Sequence, residues 1–159
     1  MQRSPLLNIV LYEPEIPVNA GNIIRLCANT GCNLHMIEPL GFDLDDKGLR
    51  RAGLDYRDLV DVSVYSNFEE YLVSMKDNTM FLTSTLGQNL YTDVKYSKGD
   101  SIIFGPESSG LPKSVLRSNP AESSIRLPMV PSNRSLNVSN TVAVVIYEAW
   151  RQMGFVEGA

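Results

Sequence analysis

Residues 102–111 read Ile102-Ile103-Phe104-Gly105-Pro106-Glu107-Ser108-Ser109-Gly110-Leu111. Three apolar residues form a short strand-like run, which leads directly into a turn that contains two glycines. A continuous apolar run of this length is typical of a strand in a parallel sheet that is covered on both faces. Glycines after such a strand predict a turn where the backbone approaches a ligand closely. The stretch therefore predicts an α/β fold with a binding loop at the end of a strand.

Strand-like and helix-like segments alternate on both sides of this stretch. Strands are expected at residues 6–12, 34–37, 60–65, 79–83 and 124–127, and helices at 19–30, 68–75, 112–117 and 141–153, with weak helical character at 45–58. The alternation predicts a parallel sheet flanked by helices on both faces. The sequence contains no repeat and no linker long enough to separate two units, so a single domain over residues 1–159 is expected.

Composition restricts the class of protein. The 159 residues include 14 Lys and Arg against 18 Asp and Glu, a net charge of −4. A nucleic-acid partner would therefore need a local basic patch, two combined subunits, or both. No run of about 18 apolar residues exists and the start does not read as a signal peptide, so no membrane contact and a cytoplasmic location are expected. Cys27 and Cys32 lack zinc-site spacing and are expected to be free thiols.

Several common catalytic arrangements are disfavoured. Leu111 stands where a phosphate-binding loop requires a lysine, and no dinucleotide-binding glycine fingerprint follows the first strand. The single histidine, His35, lies within a predicted strand and is expected to be a packed side chain rather than a base. Triads that need an imidazole beside a nucleophile are therefore not expected.

Two further polar loops follow predicted strands. The first contains Asn19, Gly21 and Arg25, for which the plain alternative is a helix cap followed by a solvated arginine. The second covers residues 127–140 and carries two prolines followed by a polar stretch. It is either an ordinary connector, with a helix cap at Ser139 or Asn140, or a preformed pocket wall with donors and acceptors at its rim.

The three loops, in this order and spacing, resemble the three motifs of the SPOUT superfamily of RNA 2′-O-methyltransferases. The matching segments are Asn19…Gly21…Arg25, Phe104-Gly105-Pro106-Glu107…Gly110-Leu111 and Ile125-Arg126-Leu127-Pro128-Met129…Ser135-Leu136-Asn137-Val138-Ser139. Flanking segments are similar to one subgroup, the TrmL- or YibK-like tRNA (cytidine(34)-2′-O)-methyltransferases. These flanks are Asn8 to Tyr12 with Glu13-Pro14-Glu15-Ile16-Pro17, Asp46 to Tyr56, and Tyr147-Glu148-Ala149-Trp150-Arg151-Gln152.

The resemblance implies a C-terminal trefoil knot, a homodimer, and S-adenosylmethionine bound in a bent shape within the knot. Backbone groups of the knot loops would hold its adenine. The cofactor contacts that carry over by position are Thr83, Gly105, Leu127 and Ser135, with Met129, Pro131 and Glu107 on the same wall. At Thr83, the main-chain atoms rather than the hydroxyl are expected to make the contact.

The resemblance also implies roles in catalysis. Arg25 cannot act as a base, because an arginine side chain stays protonated. It is therefore expected to orient the ribose and phosphate, and the phosphate itself is a candidate proton acceptor. Asn19 and Glu107 are expected to brace the loop, and Asn137 to contact the ribose. No metal is expected, because a sulfonium is already an activated leaving group.

RNA contacts and subunit contacts can also be assigned. The densest basic cluster contains Lys47, Arg50, Arg51 and Arg57, interleaved with Tyr56, and Arg134 lies beside the third motif. Charge alone favours a solvated helix face for this cluster, but the resemblance favours tRNA binding. On the last helix, Val144 and Tyr147 lie off the main apolar stripe. That helix is either broadly buried or part of a homodimer interface.

The resemblance therefore implies 2′-O-methylation of the wobble nucleotide, C34 or U34, in the anticodon loop of tRNA, with leucine isoacceptors as the expected substrates. Two alternatives stay open. One is methylation at another site in tRNA or rRNA, and the other is a non-catalytic RNA-binding module that has kept the fold.

Overall fold

A parallel sheet organises the computed structural model, which describes residues 4–53 and 60–159. Within these ranges the sheet has seven strands in the order β3-β2-β1-β6-β4-β7-β5, and each pairing of neighbours is parallel. The strands are β1 Asn8–Tyr12, β2 Asn33–Ile37, β3 Val62–Tyr65, β4 Met80–Thr83, β5 Asn89–Leu90, β6 Ser101–Phe104 and β7 Ser124–Arg126. The predicted α/β class is confirmed, whereas the trefoil knot stays a prediction.

Helices cover the sheet at the predicted places, with shifted ends. They are α1 Pro17–Thr30, α2 Lys47–Gly53, α3 Phe68–Ser74, α4 Lys113–Leu116 and α5 Val138–Gln152, with a short 3-10 helix at Ala121–Ser123. α1 begins two residues earlier than predicted, because proline is well accommodated in a first turn. α5 begins three residues earlier than predicted, because the Asn137 side chain accepts a hydrogen bond from the Ser139 amide and caps the helix there.

Two apolar cores lie on the two faces of the sheet. Alternate residues of β1 point to opposite faces, so Ile9 and Leu11 belong to one core and Val10 to the other. The first core joins α1, Leu49 of α2 and α5 to the sheet, and the second joins α3 and α4. Both faces are therefore buried, as the continuous apolar runs predicted.

Several smaller expectations are settled by burial. Cys27 and Cys32 are both free and buried, as predicted. His35 is a packed side chain within β2, only 6% exposed, as predicted. Strand β5 was not predicted, because its two residues are too few and too polar to form a recognisable pattern. Among the described residues, no helix combines the length and apolar character needed to cross a membrane.

Candidate functional site

A cleft of about 510 Å³ lies where β4, β6 and β7 end at their carboxyl termini. This is the edge where open parallel sheets place their ligands. The cleft draws together all three polar loops identified in the sequence. The predicted site residues among its lining are Asn19, Thr83, Gly105, Glu107, Leu127, Met129, Ser135 and Asn137.

Gly105 begins the floor of the cleft. A Cβ atom placed on this residue would lie 2.3 Å from the amide nitrogen of Leu111 and 2.4 Å from the carbonyl carbon of Gly110. Both neighbours are backbone atoms, so no side-chain rotation could relieve the clash. The close turn therefore explains why glycine is required here, and it leaves main-chain groups on the cleft surface.

Another wall of the cleft begins at Thr83, the last residue of β4. The Thr83 hydroxyl donates a hydrogen bond to the Ile103 carbonyl at 2.9 Å. The Thr83 hydroxyl is therefore engaged inside the sheet, and contact of its main-chain atoms with a cofactor stays a prediction. Arg126, which sequence reasoning did not single out, donates to the carbonyls of Gly87 and Gln88 at 2.9 and 3.1 Å. This guanidinium ties the wall to β7.

Glu107 connects the second loop to the first turn of α1. Its carboxylate accepts hydrogen bonds from the amides of Glu15 at 2.8 Å and Ile16 at 3.0 Å, and from Asn19 Nδ2 at 3.4 Å. The helix cap is Ile16, which has no capping side chain, so the alternative that Asn19 caps the helix is wrong. A carboxylate at a helix N-terminus also interacts favourably with the helix dipole. These bonds occupy both oxygens of Glu107 in bracing α1.

Asn19 connects the first loop to the third. It is only 5% exposed, and its Oδ1 accepts a hydrogen bond from Asn137 Nδ2 at 3.1 Å. Asn137 Oδ1 in turn accepts from the Ser139 amide at 2.9 Å. The three predicted motifs are therefore joined by side-chain hydrogen bonds that run from Glu107 through Asn19 and Asn137 to the start of α5.

Glu15 makes a further contact that sequence reasoning missed. Its Oε1 accepts hydrogen bonds from both the amide and the hydroxyl of Ser108, at 3.1 and 2.6 Å. These two bonds lower the pKa of the Glu15 carboxyl below its usual value. The only available signal was the resemblance of residues 13–17 to the subgroup, which carried no role for Glu15.

Residues of the third loop form the exposed side of the cleft. Leu127 is half-buried and packs on the first core, whereas Ser135 is exposed. Met129 lines the cleft and is 37% exposed. Pro131 was predicted on the same wall, but it lies outside the lining.

Among the described residues, the charged ones predicted to contact RNA or the ribose are exposed outside the cleft lining, whereas Glu107 and Arg126 are part of it. Lys47, Arg50 and Arg51 are exposed on α2, and Arg134 is exposed beside Ser135. Arg25 is exposed on α1, and it is not among the described residues that line the cleft of this single chain. Tyr56 and Arg57, also predicted to contact RNA, lie outside the described residues.

Two features limit the chemistry that this cleft can perform. His35 belongs to the second face of the sheet, where burial lowers its pKa to about 4, so no imidazole serves the cleft. In residues 4–53 and 60–159, no three His, Cys, Asp or Glu side chains are grouped as a metal site. The cleft instead offers main-chain groups, hydroxyls and amides, which suit a ligand held by hydrogen bonds.

Comparison with known proteins supplies a family. The model of the SpoU rRNA methylase family matches residues 6–147. Two curated relatives, both tRNA (cytidine(34)-2′-O)-methyltransferases, are similar over 150 residues and 94% of this chain: one from Escherichia coli strain K12 at 55% identity and one from Aeromonas hydrophila at 51%. The match covers 96% of each relative. A solved structure from work on the 2-OH methylation of C/U34 on tRNA superposes with a TM-score of 0.90, at 41% identity, covering 96% of this chain and 99% of that one.

Proposed function

The chain belongs to the SpoU rRNA methylase family, and on that premise we propose that it methylates the 2′-hydroxyl of the wobble nucleotide, C34 or U34, of tRNA. The observation that carries the proposal is 55% identity to a tRNA (cytidine(34)-2′-O)-methyltransferase over 94% of the chain. The residues of the cleft agree with this activity, because the three matching motifs converge there. The methyl donor that we propose is S-adenosylmethionine.

The cleft fits this methyl donor in size and in donor chemistry. Its volume of about 510 Å³ is within the range of small-molecule sites. Gly105 and Thr83 present main-chain groups, Leu127 an apolar surface and Ser135 a hydroxyl, which suit the polar and apolar parts of a nucleoside. When bound, S-adenosylmethionine supplies a methyl group on a sulfonium, which needs no metal ion for activation.

The chain's own residues then act on the RNA ribose. The 2′-hydroxyl must lose its proton, and Arg25 cannot take it because a guanidinium stays charged. We assign Arg25 to orienting the ribose and its phosphate, with the phosphate as proton acceptor. We assign Asn137, which lines the cleft, to contacting the ribose, while Asn19 and Glu107 hold the three loops together. Positioning of this kind can supply much of the catalysis.

RNA is held by the basic residues that surround the cleft. Gly48 of α2 packs beside Val18 in the first turn of α1, so α2 lies next to the turn that Glu107 braces. The exposed Lys47, Arg50 and Arg51 can therefore contact phosphates near the cleft entrance, and Arg134 can contact them from the third loop. An acidic chain needs such a local patch to hold the anticodon loop.

We also propose a homodimer that uses α5, and a cytoplasmic location where tRNA is available. Val144 and Tyr147 are 40% and 46% exposed on a helix whose opposite side is fully buried. Exposed apolar side chains beside a buried stripe favour an association surface. Sedimentation at micromolar concentration tests the dimer, and a monomer would overturn this use of α5. Leucine isoacceptors are the proposed substrates.

Methyl transfer from labelled S-adenosylmethionine to unmodified and modified tRNA, followed by nuclease mapping, tests the proposed reaction. Label on the ribose of nucleotide 34 is expected. Arg25→Ala should lower the rate at least about 100-fold without changing cofactor affinity. Arg117→Ala, an exposed arginine at the end of α4, is the matched control and should leave the rate unchanged. Label on another nucleotide would contradict the proposed target, and no transfer to any tRNA would contradict the activity.

The basic patch has a separate test. An Arg50→Ala/Arg51→Ala double variant should weaken tRNA binding about tenfold, because two phosphate contacts are lost, and it should leave cofactor affinity intact. The loss should shrink as salt concentration rises. Equal loss of tRNA and cofactor binding would show that α2 supports the fold of the cleft rather than the RNA.

A further inference from the structure

A reciprocal pair of carboxylate contacts joins the β1–α1 loop to the β6–α4 loop. Glu107 of the second loop accepts hydrogen bonds from the amides of Glu15 and Ile16, while Glu15 of the first loop accepts from the amide and hydroxyl of Ser108. Each loop therefore supplies one carboxylate and receives one. We call this arrangement of Glu15, Glu107 and Ser108 the carboxylate clasp.

The two halves of the clasp hold different parts of the molecule. The Glu107 half holds the start of α1, because its carboxylate accepts from the amides of Glu15 and Ile16, which immediately precede that helix. The Glu15 half holds residue 108, in the middle of the 105–110 turn that lines the cleft. Within that turn, the Gly110 amide donates to the Pro106 carbonyl at 2.9 Å, so a displacement at Ser108 would move both sides of the turn.

Glu15 itself is well anchored for this task. The Pro14 carbonyl accepts a hydrogen bond from the Gly41 amide at 2.8 Å, and the Glu15 amide is held by Glu107 at 2.8 Å. On the other side of the Glu15 side chain, the Ile16 amide donates to Glu107 at 3.0 Å, so the peptides before and after Glu15 are both tied to other segments. A carboxylate on an anchored backbone can set the position of a less constrained loop.

We propose that Glu15 is a positioning residue for the methyl donor: its Oε1 holds Ser108 so that the 105–110 turn presents its main-chain groups to the cofactor in the binding geometry. This inference rests on the proposed function, because that turn is the proposed cofactor floor. Glu15 touches neither cofactor nor RNA in this assignment. It acts through Ser108 on the floor that begins at Gly105.

Substitutions at Glu15 separate this role from general support of the fold. One oxygen accepts both hydrogen bonds from Ser108, so Glu15→Gln retains an acceptor at that place, whereas Glu15→Ala removes it. Glu15→Ala should raise the dissociation constant for S-adenosylmethionine, measured by calorimetry without RNA, about tenfold. Glu15→Gln should restore most of that affinity. The dissociation constant for tRNA should not change in either variant.

Kinetics and a matched control complete the test. Under saturating tRNA, Glu15→Ala should raise KM for the cofactor and leave kcat within about twofold, because a fully occupied turn adopts the same geometry. Glu122→Gln removes a carboxylate from the exposed 3-10 helix that precedes β7, at the other end of that strand from the cleft, and should change neither constant. Thermal unfolding of each variant shows that measurements are made on folded protein.

Ser108 provides a second route to the same conclusion. Ser108→Ala loses the hydroxyl bond but keeps the amide bond, so a smaller loss of about threefold in cofactor affinity is expected. In the Glu15→Ala/Ser108→Ala double variant, affinity should fall no further than in Glu15→Ala, because the hydroxyl acts through Glu15. Full additivity would overturn the proposal.

The failure of this inference can be told apart from failure of the proposed function. Wild-type protein that binds no S-adenosylmethionine would overturn the function itself. Wild-type protein that binds it, with Glu15→Ala binding equally well, would overturn only the role of Glu15. Glu15→Gln that is as defective as Glu15→Ala would likewise overturn the assignment of a hydrogen-bond acceptor role.

Discussion

Two polar clusters are built on the same parallel sheet, and one of them contributes residues to the lining of the cleft. The first, here the sheet cluster, runs from the first residues of β1 and β6 through the middle of β2 to the last residue of β3, and it consists of Asn8, His35, Tyr65, Tyr71 and Ser101. The second, here the loop cluster, lies at the carboxyl ends and consists of Glu15, Asn19, Glu107, Ser108 and Asn137. Both are well hydrogen-bonded, so satisfied polar contacts do not by themselves identify a functional site.

The sheet cluster consists of side chains that mainly satisfy one another inside an apolar core. His35 Nε2 lies 2.9 Å from Asn8 Oδ1, and Nδ1 lies 3.1 Å from the Tyr65 hydroxyl. Tyr71 donates to Ser101 at 2.6 Å, and its ring meets the His35 ring edge-on at 5.4 Å. In the part of the chain that the structure describes, no buried side-chain nitrogen or oxygen lacks a partner. Such a cluster stabilises the fold and leaves no group free for a ligand.

The loop cluster differs because many of its partners are main-chain amides of segments distant in sequence. Glu107 and Glu15 bind amides about 90 residues away, and Asn137 reaches Asn19 across 118 residues. It therefore holds three loops in place around an open volume. Breaking the sheet cluster should reduce stability with little effect on cofactor binding or activity, whereas breaking the loop cluster should also reduce binding or activity.

The largest expected effect is the difference in activity between alanine variants of two glycines, one at each end of β6. Gly105→Ala places a Cβ 2.3 Å from backbone in the cleft floor, and activity should fall at least about 100-fold. Gly99→Ala, at the amino end, meets nothing within 4 Å and only strains a φ of +88°, so it should cost about 1–2 kcal/mol of stability. Cofactor titration and urea unfolding of both variants check this. Similar losses of cofactor affinity in both glycine variants would contradict the prediction that only the carboxyl end of the sheet binds the cofactor.

The second prediction concerns pH and the sheet cluster. Burial lowers the pKa of His35 to about 4, whereas the unfolded chain has an ordinary histidine pKa near 6.5. Between these values the unfolded chain binds a proton that the folded chain does not, so stability falls as pH falls through this window. From pH 7 to pH 5 the loss should be about 2 kcal/mol.

Urea unfolding at both pH values measures this loss. His35→Gln should be less stable at pH 7 but should lose less on acidification than the wild type. An unchanged pH dependence in His35→Gln would assign the effect to other groups. Cofactor affinity of folded protein at pH 7 should be the same in both proteins, because His35 lies outside the cleft.

The third prediction compares two helix caps of the same type. Asn137 caps α5 in the loop cluster, and Asn67 caps α3 through a similar side-chain bond to the Glu70 amide at 2.8 Å. Replacing either by Ala should cost about 1 kcal/mol of stability. Only Asn137→Ala should also lower activity, by about tenfold, because it loses the bond to Asn19. Equal methyl-transfer activity in the two variants would mean that Asn137 acts only as a helix cap.

The smallest expected effect is at Tyr71. Tyr71→Phe removes the donor to Ser101 inside the second core and should cost about 1 kcal/mol of stability. It should leave cofactor affinity and kcat unchanged. Thermal unfolding and a single cofactor titration suffice. A change in affinity would mean that the sheet cluster is coupled to the cleft.

Local sequence patterns identified most of the strands and helices, but not the features that depend on contact between distant segments. The buried strands were recognisable because strands covered on both faces are continuous apolar runs, as in β1 and β6. The start of α1 was not, because it lies at Ile16 without a capping side chain and is braced by Glu107, far along the chain. Arg126 and β5 were missed for a similar reason, since each is stabilised by pairing with a distant segment.

The candidate site could be predicted only in part. Three loops with glycine and amide residues were identified from the motifs, and the structure brings them to one cleft. Pro131, predicted on the same wall, is outside the lining, because position along a loop does not give the direction in which a residue faces. The location of Arg25 relative to the cleft depends on packing of α1, which no local pattern describes.

The amino-acid sequence by itself determined the parallel α/β class, the three motif loops and the family, because periodicity and motif spacing are local properties of the chain. Only the tertiary structure decided which polar residues work together. Glu15 and Ser108 are 93 residues apart, and their contact exists because parallel strands bring their carboxyl ends to one edge. A side chain's role at that edge depends on neighbours that the sheet brings to it, and these neighbours are not adjacent in the sequence.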